Sequence, residues 1–168
     1  LSKKDREYFR KHFRPQMPEE IVKDYTEWIS NFDIEAVITQ YHEDLSDFLF
    51  YGAVPIDFRK CSVSDLCNID LGKHIDRGEH KIGIVFNTDE SDQPGKHWIS
   101  MYVDALGKNL GGDPGIYFFD SFGTNPMKEV KELINTLQNQ GKQRNIDFVV
   151  SNNDKSYQNN TYSCGFYC

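Results

Sequence analysis

The chain has 168 residues, 38% of them hydrophobic and 14% aromatic, which is enough for one buried core and too apolar for a disordered segment. Its net charge of −7, from 26 acidic and 19 basic residues, argues against a nucleic-acid binder that works by neutralising phosphates, and favours a protein or cationic peptide as partner. No run approaches the roughly 18 apolar residues of a membrane span, and the charged start LSKKDREYFRKHF is unlike a signal peptide, so a soluble protein is expected.

Helices are expected first. One covers residues 2 to 13 and breaks at Pro15 and Pro18. A second, PEEIVKDYTEWIS, carries acidic residues in its first turn, where they complement the helix dipole. In SNFDIEAVITQYHEDL, Ser30 and Asp33 have capping-box spacing, and Ile34, Val37, Ile38, Tyr41 and Leu45 share one helical face, predicted to be core.

Beyond residue 47 the pattern turns to strands. FLFYG, IGIVF (82 to 86), WISMYVD (98 to 104) and GIYFFD (115 to 120) are short, β-branched and aromatic, and bounded by turn residues. ALGKNLGGDPG reads as the long tip of a hairpin between the last two. A helix follows near Pro126, with Met127, Val130, Leu133, Ile134 and Leu137 on one side, and DFVV (147 to 150) returns as a strand. This order implies one α+β domain over residues 1 to 168, built on a central mixed sheet, with residues 1 to 20 as an N-terminal extension.

Strand order places the polar residues. His97 opens WISMYVD and Asp120 closes GIYFFD; in an antiparallel hairpin those two positions lie at the same end of the sheet, within mutual reach. The loop SNNDKSYQNNTYS then delivers Cys164 to a helix start, where a thiol beside an imidazolium has a lowered pKa. Taken singly, each residue has a plainer reading. Cys164 is a small buried side chain, His97 a strand-edge histidine, Asp120 a turn residue, Gln158 a loop residue, and Trp28 and Trp98 core aromatics. Strand order nevertheless gives Cys164, His97 and Asp120 a Cys-His-Asp arrangement.

The four cysteines, Cys61, Cys67, Cys164 and Cys168, form no C-x-x-C pair, so a reduced, intracellular protein is expected. Cys61, Cys67, His74 and His80 are zinc-type ligands with the wrong gaps, and no metal site is predicted. Asn159-Asn160-Thr161 is a glycosylation sequon by letter and is read as chance.

These residues carry a resemblance. His97-Trp98, FFDSFG at 118 to 123, and Gln158 followed by SCG at 163 to 165 resemble the cysteine protease clan of the SUMO-specific (ubiquitin-like) proteases and the adenovirus maturation protease. EWISNFDI is similar to an early Trp-containing element of SUMO proteases, and GAVPIDF to members of this clan encoded by large DNA viruses. The resemblance spans about residues 25 to 168 and implies a papain-like variant with the nucleophile at a helix N-terminus. It implies Cys164 as nucleophile, His97 as general base, Asp120 as the orienting acid and Gln158 as an oxyanion donor together with the Cys164 N–H. Trp28 and Trp98 match aromatic walls of a groove that admits a Gly-Gly tail, and Gly165 allows close backbone approach.

The implied function is a thiol protease cleaving a peptide or isopeptide bond after a Gly-containing motif, acting on a ubiquitin-like modifier or its conjugates, or on a viral structural precursor. The alternatives are a catalytically silent module that binds a ubiquitin-like protein, and acyl transfer, for which no phosphate-binding glycine loop is present. No cofactor is expected, including the DNA cofactor of the adenovirus enzyme. A monomer in the cytoplasm, nucleus, virion or viral factory is expected. From the missing initiator Met and the end at Cys168, four residues after the implied nucleophile, a fragment is expected, with part of the nucleophile's helix missing or supplied by another segment.

Overall fold

Short runs of β-branched and aromatic residues are pleated into a five-stranded sheet in the order β1-β2-β3-β4-β5. The computed structural model describes residues 2–12, 15–24, 26–42, 44–107 and 112–168. The strands are β1 (Phe48–Pro55), β2 (Lys81–Asn87), β3 (Trp98–Asp104), β4 (Gly115–Phe119) and β5 (Val149–Asn152). β2, β3 and β4 are antiparallel, whereas β1 joins β2 and β5 joins β4 in parallel. The helices are α1 (Lys3–His12), α2 (Glu19–Lys23), α3 (Asn31–Ile38), α4 (Leu71–Asp76), α5 (Lys128–Lys142) and α6 (Cys164–Tyr167). The domain is therefore α+β on a mixed sheet, as its element order implies.

The two-residue period of β3 sorts its side chains between two clusters. Ile99, Met101 and Val103 enter the main core with Ile82, Phe86, Ile116, Phe118 and the α5 residues Val130, Leu133 and Leu137. Trp98 packs against the second cluster, formed by Ile21, Ile29, Ile34, Phe50, Ala53 and Val85. Full burial of each large apolar side chain contributes about 1.5–3 kcal/mol before entropy is counted, so this two-sided burial holds β3, and the residue that precedes it, in one register.

The capping box forms as expected. The Ser30 hydroxyl accepts from the Asp33 N–H at 3.3 Å, and the Asp33 carboxylate accepts from the Ser30 N–H at 2.8 Å. Several boundaries differ from expectation. α2 stops at Lys23 because Asp24 turns back, its carboxylate accepting from the N–H and hydroxyl of Thr26 at 2.8 and 2.6 Å. α3 gives way to a 3-10 turn at Thr39–Tyr41, so the predicted five-residue core face is not continued. Only Ile34 of that face is fully buried, while Tyr41 and Leu45 are exposed. Met127 precedes α5 as its cap residue and is also exposed. β5 begins two residues later than DFVV, and Phe148 is buried just before it, where a Cβ on Gly141 would fall 2.6 Å from its ring. The tip of the β3–β4 connection, residues 108 to 111, and the end of the first predicted helix at residue 13 lie outside the described residues.

Residues 59 to 77, read from sequence without elements, contain a 3-10 turn (Asp65–Asn68) and α4, which is capped by the Asp70 carboxylate on the Lys73 N–H at 3.1 Å. Here the expectation of uniformly reduced thiols is corrected. Cys61 and Cys67 lie 5.2 Å apart at Cα and are joined as a disulfide, because the intervening turn brings two residues six apart face to face. His74 Nδ1 contacts Glu79 Oε2 at 2.6 Å, and among the described residues no cluster of His, Cys, Asp and Glu is arranged to hold a metal ion.

Truncation of the fully buried Leu137 to Ala is expected to lower the unfolding free energy by about 2–5 kcal/mol in urea titrations. Met127→Ala, at the exposed cap position just before α5, is expected to change it by less than about 0.5 kcal/mol.

Candidate active site

Two loops and one hairpin converge at one end of the sheet. β3 and β4 pair in antiparallel register with Ser100 opposite Phe119, which carries the residues just outside that pairing, His97 and Asp120, to the same edge. His97 Nε2 lies 2.7 Å from Asp120 Oδ1. A carboxylate only accepts, so Nε2 carries the proton, and Nδ1 is the ring nitrogen left to meet Cys164, to which the imidazole is also hydrogen-bonded. The approach of His97 is set by the β2–β3 loop. There the Asn87 side-chain oxygen accepts from the N–H groups of Asp89 and Lys96 at 3.0 and 3.2 Å, and Thr88 N–H donates to the His97 carbonyl at 2.9 Å.

Asp120 is 1% exposed, and its carboxylate is fully engaged. It accepts from the Phe122 N–H at 2.9 Å, from the Thr124 hydroxyl and from His97. Burial works against the charge, but these donors outweigh it and hold the Asp120 carboxyl below the ordinary carboxylate range. Its backbone is clamped by Asn153, which accepts from the Asp120 N–H at 2.9 Å and donates to the Asp120 carbonyl at 2.6 Å. The Phe122 ring covers the imidazole, with centroids 4.8 Å apart and planes inclined at 32°.

Gln158 is 4% exposed. Its Oε1 accepts from the Ser121 hydroxyl at 2.6 Å, and its Nε2 donates to the Asn160 carbonyl at 2.7 Å, which leaves one amide hydrogen for another acceptor. The backbone N–H groups of Tyr157 and Gln158 both donate to the Ser121 carbonyl, at 2.8 and 3.0 Å. Asn160 in turn accepts from the N–H groups of Tyr162 and Ser163 and from the Ser163 hydroxyl, fixing the turn that ends at Cys164.

Cys164 is the first residue of α6 and is 4% exposed. Burial raises its pKa, but His97 and the backbone N–H groups of Trp98 and Gly165 hydrogen-bond to the sulfur, and the net result lies below the ordinary thiol range. His97 moves the other way. Burial lowers its pKa, yet the thiol and Asp120 beside it raise it further than burial lowers it. Opposed shifts of this kind favour a thiolate–imidazolium pair. Cys168 is unsuited to the same chemistry, since burial pushes its thiol up to about 12 and its Sγ donates to the Cys164 carbonyl at 3.5 Å.

The two tryptophans border a groove of about 660 Å³ beside this cluster, with Ser62 and Val63 of the disulfide-closed turn, Asn87 and Lys96 among its walls. Trp98 is held by its Nε1–H donating to the Ile29 carbonyl at 2.8 Å, while Trp28 is 54% exposed. A Cβ at Gly165 would come within 3.1 Å of Ile29 and 3.3 Å of the Trp98 ring, so glycine lets α6 seat closely against this wall. The structure thus joins His97, Asp120 and Cys164 through hydrogen bonds, ties Gln158 to Ser121, the neighbour of Asp120, and to Asn160 of the turn before Cys164, and puts Trp28 and Trp98 on the walls of the groove. Sequence reasoning did not find Ser121, Thr124 or Asn153. The FFDSFGT run contains the first two next to the selected Asp120, but nothing in the spacing of Asn153 ties it to that loop.

No family model matches the chain. Over 143 residues, 84% of this chain and 45% of the relative, it is 36% identical to a thiol protease of Acanthamoeba polyphaga mimivirus. It is 26% identical over 110 residues, 58% of this chain and 39% of the relative, to a cysteine protease of African swine fever virus. The chain therefore spans less than half the length of these curated relatives. Among solved structures, the African swine fever virus protease superposes with a TM-score of 0.70 at 21% identity, covering 84% of this chain and 55% of that one. The SUMO protease Ulp1 superposes with a TM-score of 0.56 at 18% identity, covering 99% of this chain and 80% of that one. In sequence the chain is similar to thiol and cysteine proteases of large DNA viruses, and it shares its fold with the African swine fever virus protease and with Ulp1.

Proposed function

We propose that the chain is the catalytic region of a cysteine peptidase in which Cys164, His97, Asp120 and Gln158 perform the chemistry. The observation that carries this reading is the continuous contact from Asp120 Oδ1 through the imidazole to the Cys164 sulfur, with pKa shifts that favour the ion pair. The thiolate attacks the scissile carbonyl carbon, and the carbonyl oxygen takes up the negative charge. The remaining Nε2–H of Gln158 and the Cys164 backbone N–H donate to that oxyanion, and neither changes charge as it forms. The imidazolium gives its proton to the leaving amine as the C–N bond breaks, leaving an acyl thioester on Cys164. Neutral His97 then takes a proton from water, whose oxygen attacks the thioester and returns the thiol. Asp120, hydrogen-bonded to Nε2–H, keeps the ring in the tautomer and orientation that this sequence needs.

The groove between Trp28 and Trp98 receives the substrate segment on the acyl side. Flat aromatic walls suit small side chains there, in line with cleavage after a Gly-Gly motif of a ubiquitin-like modifier or its conjugates. The second reading, cleavage of a viral precursor protein at a similar motif, fits the viral source of the thiol and cysteine proteases that the chain resembles.

The first test is covalent labelling with ubiquitin and ubiquitin-like proteins ending in a Gly-Gly electrophile, alongside cleavage of Gly-Gly peptide reporters. An adduct mapped to Cys164 supports the reading; wild-type levels of cleavage by Cys164→Ala or His97→Ala would sink it. Asp120→Ala is expected to lower kcat by on the order of 10²-fold, because the imidazole loses both its orienting partner and its charge stabilisation. Cleavage is expected to follow a bell-shaped pH profile. It rises as Cys164 ionises through its lowered pKa and falls as His97 loses its proton through its raised one, so an active window bounded by normal thiol and imidazole values would contradict the ion pair. Trp28→Ala is expected to raise KM with little change in kcat, since its half-exposed ring lines the groove away from the reacting atoms.

A further inference from the structure

We infer that Ser121 is a positioning residue for the oxyanion donor, holding the Gln158 amide so that its free Nε2–H faces the reacting carbonyl. The inference rests on the peptidase reading and adds a residue to it. A glutamine amide has two ends of nearly the same shape, and packing alone does not choose which of them points into the site. Here the choice is made by polar partners at both ends. The Asn160 carbonyl lies 2.7 Å from Nε2 and would face an oxygen if the amide turned over. The Ser121 hydroxyl lies 2.6 Å from Oε1 and donates to it.

Ser121 is 1% exposed and Gln158 4% exposed, so no bulk water replaces the hydroxyl if it is removed. Oε1 would then be a buried acceptor without its donor, and the amide would turn or withdraw to find another. A second effect runs in the same direction. Donation to Oε1 draws electron density through the amide and makes Nε2–H a better donor, a polarisation worth about 10–30% of a hydrogen bond's strength. The backbone of Ser121 adds to the hold, since its carbonyl accepts from the N–H groups of Tyr157 and Gln158. The Asp120-Ser121 dipeptide therefore serves two tasks. Its first residue orients the imidazole and its second orients the oxyanion donor, so the proton-transfer and charge-stabilising halves of the site move as one unit.

The test compares cleavage of a Gly-Gly reporter with alkylation of Cys164 by iodoacetamide, which displaces iodide from an sp³ carbon and creates no oxyanion. In Ser121→Ala, kcat for the reporter is expected to fall about tenfold to hundredfold, less than or equal to the loss from removing an oxyanion donor outright. KM is expected to stay within about twofold and the alkylation rate within about twofold. In the Gln158→Ala background, Ser121→Ala is expected to add less than about a threefold further loss, because the group it positions is already gone. Ser121→Thr and Ser121→Val add the same bulk and differ in the hydroxyl, so reporter cleavage by Thr is expected to exceed that by Val at least fivefold even if both are strained.

Equal losses in cleavage and alkylation, losses that multiply with Gln158→Ala, or equal activity of Thr and Val would each overturn the inference. A wild-type chain that alkylates at Cys164 but cleaves no Gly-Gly reporter would overturn it together with the peptidase reading. An active wild type combined with any of the preceding results overturns the Ser121 role alone.

Discussion

The site depends on the antiparallel register of β3 against β4. Ser100 opposite Phe119 fixes where the hairpin ends, and the 2.7 Å contact between His97 and Asp120 follows from it. A one-residue slip would turn Ile99, Met101 and Val103 out of the main core and Trp98 into it, so apolar burial on both faces of the sheet protects a polar contact at its edge. The core is large and the contact small, but the second inherits its geometry from the first.

From that contact, the other groups are added by loops that are themselves tied down. Asn153 clamps the backbone of Asp120, Ser121 anchors Tyr157 and Gln158, and Asn160 fastens the turn before Cys164. Each link uses hydrogen bonds between partly or fully buried groups, where water competes poorly and a broken bond leaves an unpaired polar atom. This gives an electrostatic setting in which the thiol is drawn toward its charged form while buried, as an exposed cysteine without these partners would not be.

Much of this was readable from sequence because strand order is a local pattern with long-range consequences. His97 before WISMYVD and Asp120 after GIYFFD could be paired without coordinates, since consecutive strands joined by a connection with turn residues are most often antiparallel neighbours. The Ser30 and Asp33 cap was equally legible, as both partners lie within one turn. What escaped the sequence was set by contacts between distant loops. Nothing near Asn153 announces that its amide will meet Asp120, 33 residues earlier, and the closing of Cys61 onto Cys67 depends on a turn whose residues have no marked periodicity. Tyr41 and Leu45 were misplaced for a related reason, because the helical period was extended past the point where α3 tightens into a 3-10 turn.

The central claim is that Cys164 and His97 form a charged pair before any substrate arrives. The most direct measurement is the rate of Cys164 alkylation by iodoacetamide as a function of pH, in the wild-type chain and in His97→Ala, with the modified residue identified by mass spectrometry. Cys168, with its thiol pushed up to about 12, stays largely protonated over the relevant range. The account predicts that the wild-type rate titrates at a pH below the ordinary thiol range and that His97→Ala moves the midpoint upward. The same midpoint in both proteins would show that the imidazole does not stabilise the thiolate, and would contradict the account.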